Sequence, residues 1–142
     1  MRKVLPLLIV GILIHFSTIQ HVYAQVMQTE VMFVFDSKDK LVNTVESDTP
    51  KEITFAITGI ESAGQAKSLK ESFTLIPERV VRFRITREHK GVNYTGRLTL
   101  TADTKVSHFT KILITCGIRQ IIVEGLTIRS EQLNDKSVYN TN

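Results

Sequence analysis

Between Glu52 and Glu124 the apolar residues switch back and forth between a spacing of two and a spacing of three to four. That succession restricts the fold more tightly than any bulk property of the chain, because a spacing of two fits a half-buried strand and a 3.6-residue period fits one face of a helix. Ile53, Phe55 and Ile57 alternate with Thr54, Ala56 and Thr58, which predicts a strand running into a turn at Gly59. After Ser62, a suitable N-cap, Ala66, Leu69, Phe73 and Ile76 mark one face of a helix that Pro77 ends. Val81, Phe83 and Ile85 then alternate with Arg82, Arg84 and Thr86, and Tyr94, Leu98 and Leu100 with Asn93, Thr95, Arg97 and Thr99. Joined by a Lys90-Gly91 turn, these two runs predict an antiparallel hairpin. Asp103 or Thr104 is placed to cap a second helix with Val106, Phe109, Leu113 and Cys116 inward and Gly117 at its C′ position. Ile121 to Val123 begin a last strand, which Gly125 to Ile128 extend. The order is βαββαβ, an α+β chain.

The flanking segments are organised differently. Arg2 and Lys3 precede an apolar run from Val4 to Phe16, and a polar stretch closes on Val22-Tyr23-Ala24. This is the layout of a secretory signal peptide, residues 1–24, cut after Ala24. The apolar run is shorter than the ~20 residues a membrane-spanning helix needs, and His15 lies within it. A secreted or periplasmic location follows. Residues 25–51 read as an N-terminal extension with one strand, Glu30 to Phe35, then a polar connection to Pro50; the place open to that strand is a fifth position at a sheet edge, and the sequence leaves open whether it joins the sheet. Residues 129–142 read as a polar, fraying tail. Removing Arg2 and Lys3 lowers the formal net charge from +4 to +2, so neither charge nor export supports nucleic-acid binding. Cys116 is the only cysteine, which rules out an internal disulfide and, on a helix face with Phe109 and Leu113, is expected to be a core thiol.

The segment Thr58-Gly59-Ile60-Glu61-Ser62-Ala63-Gly64-Gln65-Ala66, feeding a helix, resembles the Gly-Met-x-Cys-x-x-Cys loop of heavy-metal-associated domains. The ending Leu113 to Ile118, an apolar helix end followed by Gly and a bulky residue, is similar to the same family. The resemblance covers residues 52–128 and implies a ferredoxin-like βαββαβ sandwich, to which the N-terminal strand is an addition. In that family two cysteines of the loop hold copper(I) or related ions. Ser62 and Gln65 stand at those positions here, and a hydroxyl and a carboxamide are hard, weak donors for a soft ion. The resemblance thus implies a retained scaffold with a degenerate metal site: Ser62 as helix cap, Gln65 in the first turn, no metal and no cofactor.

Other residues carry side chains capable of chemistry. Cys116 is the one thiol candidate for a copper-type site, completed by His89, His108, Met27 or Met32, although these show no ligand spacing. Arg82, Arg84 and Arg97 share the sheet face that helices would leave open, with Arg79, Arg87 and Lys90 nearby. They form a candidate docking surface for an acidic protein partner or another anionic surface. No hydrolase, zinc-protease or phosphate-loop signature is present in the sequence, so an enzyme is not expected. Asn93-Tyr94-Thr95 has the form of a glycosylation sequon. The expected function is an exported, noncatalytic binding module with a protein partner in the exporting compartment. Metal handling through non-standard ligands is the alternative, and an enzyme of unknown type the second alternative.

Overall fold

The computed structural model describes residues 30–88 and 93–139. The signal-peptide segment, Met27, His89 and the Lys90-Gly91 turn lie outside the described residues.

The elements are β1 (Met32–Phe35), α1 (Lys38–Glu46), β2 (Lys51–Thr58), α2 (Ala63–Thr74), β3 (Val80–Arg87), β4 (Tyr94–Leu100), α3 (Val106–Thr115), β5 (Gln120–Val123) and β6 (Leu126–Arg129). Two short 3₁₀ turns, Ser130–Asn134 and Lys136–Tyr139, follow. The strands form one mixed six-stranded sheet in the order β3-β4-β2-β1-β5-β6. The chain is α+β, as the alternating periods predict.

One sheet face is apolar across every strand. The register aligns Phe33 with Ile57 and Ile121, Phe55 with Gly96, and Leu98 with Ile53 and Phe83. Leu41 and Val45 of α1, Leu69 and Phe73 of α2, and Phe109, Ile112 and Leu113 of α3 complete the same core. Six of the seven phenylalanines are buried there, with Phe33 stacked on Phe55 at 4.2 Å and Phe73 against Phe83 at 4.3 Å between ring centroids. Burying this apolar area is the main force available to a chain with no disulfide.

Four expectations are corrected. The leader strand is not at an edge: β1 lies inside the sheet, antiparallel to β2 and parallel to β5. The cause is visible in Phe33 and Phe35, which point into the core and are 0% and 4% exposed; an edge position would leave one flank of both rings bare. The connection after it is not merely polar. It holds α1, capped by Ser37, whose hydroxyl accepts from the Lys40 N–H at 3.2 Å, and buried through Leu41 and Val45. Nor do Gly125 to Ile128 extend the last strand, since Leu126–Arg129 turns back as β6 antiparallel to β5, and the chain does not fray from Arg129. Val123 and Leu126 pair across a two-residue Glu124-Gly125 turn with both φ values positive (54° and 80°), a primed hairpin geometry. Beyond it Leu133 is fully buried and Ser130 donates to the Ile118 carbonyl at 2.7 Å.

The second predicted cap also moves. Lys105, not Asp103 or Thr104, is the N-cap of α3. Thr104 is fully buried and its carbonyl accepts from the ammonium of Lys51, while Asp103 takes the Arg79 guanidinium at 2.5 Å. The open first turn of α3 is served instead from α1, since the Glu46 carboxylate accepts from the Val106 N–H at 2.8 Å. The C-terminus behaves as predicted. Gly117 takes φ +84° at C′, and the Ile118 and Gly117 amides bond the Leu113 and Ile114 carbonyls, the double bond pattern of a Schellman end.

Candidate binding groove

Thr58 ends β2 opposite Met32, which starts β1, and β1 runs parallel to β5 in a register that pairs Phe33 with Ile121. The loop after β2 and the turn before β5 therefore emerge at the same end of the sheet. Between them is an open groove of about 1550 Å³. One wall is the polar stripe of α2, where Gln65, Ser68 and Ser72 recur at helical spacing behind Ser62. The opposite wall is the end of α3 and the entry to β5, from Ile114 through Cys116 and Gly117 to Gln120. Glu30 and Val31, leading into β1, lie between the two.

The loop geometry explains how these walls meet. Gly59 takes φ +82°, and a Cβ built there would stand 2.2 Å from the Glu30 carbonyl oxygen. Only glycine lets the loop turn against the incoming chain. Ser62 then accepts from the Gln65 N–H at 3.1 Å, while the Gln65 Oε1 accepts from the Glu61 N–H at 2.8 Å. Both side chains are thus engaged in starting α2, a reciprocal arrangement close to a capping box.

Cys116 is buried at the C-cap of α3 and lines the groove. Burial pushes its thiol above the ordinary range, and the Ser72 hydroxyl beside it partly opposes that rise. The negative end of the α3 dipole also disfavours a thiolate at this place. Reactive and metal-binding cysteines occupy the reverse setting, an electropositive site that lowers the pKa.

The structure brings Ser62, Gln65 and Cys116 to one groove, and the sequence missed its other polar walls. Ser68 and Ser72 were legible as the polar face of a predicted helix. Arg129 and Glu131, which also line the groove, fall in the segment expected to fray. The groove carries both signs of charge: Glu30, Glu61 and Glu131 against Arg119 and Arg129.

The other sulfur and imidazole groups are dispersed. Met32 belongs to the strand parity opposite Phe33 and Phe35 and so faces the other side of the sheet. His108 sits in the first turn of α3, where its Nδ1 accepts from the Lys105 N–H at 3.3 Å. It is eight residues from Cys116, about 12 Å along the helix. Among the described residues no group of three or more His, Cys, Asp or Glu is placed to hold a metal ion.

Arg82, Arg84 and Arg97 lie together on the open sheet face, exposed, with Arg84 directly across from Arg97 and Arg82 across from Thr99. Arg97 reaches the Glu52 carboxylate at 3.4 Å. Arg79 is elsewhere, paired with Asp103. Among the described residues no helix is long and apolar enough to cross a membrane.

No protein-family model, no curated protein and no solved structure matches the chain.

Proposed function

We propose that this chain is an exported, noncatalytic binding module, derived from a heavy-metal-associated, ferredoxin-like core, which takes its partner in the groove between α2 and the α3–β5 turn. The observation that carries this reading is the use of Ser62 and Gln65. Both line the groove, yet their side chains serve the start of α2. The ligand positions of the resembled family have become scaffold.

The sheet order supports the same reading. The strands β3, β4, β2 and β5 keep the sequence of neighbours of a βαββαβ plan, except that β1 stands between β2 and β5. Adding one strand widens the spacing between the loop after β2 and the turn before β5 by about 4.8 Å, to about 9.6 Å. A metal bridging the two sides needs sulfur at about 2.3 Å from the ion, so the insertion favours a wider guest over an ion. A protein segment in the exporting compartment, meeting the serines of α2 and the mixed charges around them, is the guest proposed.

A photo-reactive amino acid in place of Ser68, compared with one in place of the exposed Asn43 on α1, tests the groove in the exporting cell. The expected result is a discrete covalent adduct from position 68 and none from position 43. Adducts of equal yield from both, or none from position 68, overturn it. Titration of the mature chain with copper(I) against a competing chelator separates the alternative. Tight binding lost in Cys116→Ser would replace the proposal with metal handling.

A further inference from the structure

The strand β3 is an edge of the sheet, and among the described residues it pairs only with β4. After a bulge between Val80 and Arg82 its register with β4 is regular from Arg82 to Arg87. Among the described residues nothing pairs with the other side of these six strand residues, about 20 Å in length.

The hydrogen-bond phase says which groups that edge offers. Glu88 donates its N–H to the Asn93 carbonyl at 3.2 Å. In an antiparallel ladder, hydrogen-bonded pairs recur at every second residue. Thr86, Arg84 and Arg82 therefore bond β4, and Phe83, Ile85 and Arg87 turn their N–H and C=O groups to the free side. The side chains of Arg82 and Arg84 stand on the open sheet face above this row. Arg84 lies directly opposite Arg97, a like-charge pair that is unfavourable without a counter-ion. Arg97 has Glu52, whereas among the described residues no carboxylate is within ion-pairing distance of Arg82 or Arg84.

We propose that the free edge of β3 receives an extended acidic segment of a partner protein as an added strand. Backbone pairing is made with Phe83, Ile85 and Arg87. Alternate side chains of the newcomer fall beside Arg82 and Arg84 on the open face, and carboxylates there meet the two arginines that have no ion-pair partner among the described residues. An antiparallel newcomer places those positions in non-hydrogen-bonded pairs, the closer of the two kinds, about 4.5 Å between Cα atoms. The intervening side chains face the half-buried Ile85 and are expected to be apolar. A second copy of β3 does not fit this edge, because it sets arginines against arginines. The site is separate from the groove, so its failure leaves the groove proposal standing.

The probe is a blocked twelve-residue peptide of alternating Glu and Val, titrated into the mature chain at low salt. Expected are saturable binding, slowed amide exchange at Ile85 and Arg87 with none added at Arg84, and a loss of about tenfold in affinity in Arg82→Glu/Arg84→Glu. The matched variant Lys70→Glu/Lys111→Glu, which changes net charge equally on exposed helix positions, is expected to keep the affinity. No binding, binding that leaves exchange at Ile85 and Arg87 unchanged, or equal loss in both double variants overturns the proposal.

Discussion

Replacing Gly59 with alanine tests the least expected feature of the fold, the chain entering β1 against the loop that follows β2. Gly59 and Gly117 have nearly the same backbone, φ +82° and +84°, but different surroundings. A Cβ on Gly117 meets nothing within 4 Å, so Gly117→Ala carries the conformational cost alone, about 1 kcal/mol. A Cβ on Gly59 lies 2.2 Å from the Glu30 oxygen, 2.8 Å from its carbonyl carbon and 3.1 Å from the Val31 Cα. All three are backbone atoms, which no rotamer change moves aside. Relief requires shifting the start of β1 and with it the pairing of Met32 with Thr58. Overpacking of this kind adds about 2–3 kcal/mol, for a total of about 3–4 kcal/mol. With a urea m-value of about 2 kcal/mol/M, the midpoint falls by about 1.5–2 M in Gly59→Ala and about 0.5 M in Gly117→Ala. Equal losses in the two variants would mean that the Glu30 carbonyl does not abut the loop.

Two buried titratable groups give further expectations, of opposite sign. Lys51 is 2% exposed and its ammonium donates to the Ala102 carbonyl at 2.7 Å and to that of Thr104. Lys51→Met keeps the bulk but strands two carbonyls, and urea melts are expected to show a loss of about 2–3 kcal/mol. Desolvation lowers the Lys51 pKa below 10.5, so the unfolded chain binds more protons just below that pH. Its contribution to stability rises as pH climbs toward 10.5, and this rise should vanish in Lys51→Met. Burial raises the Cys116 thiol above 9.0, so the folded chain holds its proton longer and stability is lost as pH rises past 9.0. Cys116→Ala is expected to flatten that fall, and iodoacetamide should label the native thiol more slowly than the urea-unfolded one; equal rates would place the thiol outside the core.

Strong periodicity made most of the fold legible. Ile53, Phe55 and Ile57 alternate cleanly because one side of β2 faces the core, and Leu69 and Phe73 announce α2 because only one face of that helix is buried. The failures arose where the local signal is thin. Leu41 and Val45 are the only buried residues in the nine of α1, so a polar background hid a helix whose cap, Ser37, was in plain view. Strand neighbours are a nonlocal property. Nothing in Glu30 to Phe35 says which two strands will flank it, although two phenylalanines on one parity already asked for deeper burial than an edge gives.

The same internal position of β1 explains why the candidate site was only half legible. Ser62 and Gln65 were readable because capping is local chemistry, decided within four residues. Their relation to Cys116 was not, because it depends on what lies between β2 and β5. Without β1 the loop and the turn would belong to adjacent strands, and a compact site at their junction would be geometrically natural. With β1 between them, Glu30 and Val31 occupy the junction and the two walls stand one strand further apart. Shifting the start of β1, as Gly59→Ala does, should therefore disturb partner capture at position 68 as well as stability. A variant that lost stability yet kept the full adduct yield would separate the groove from the strand that is proposed to open it.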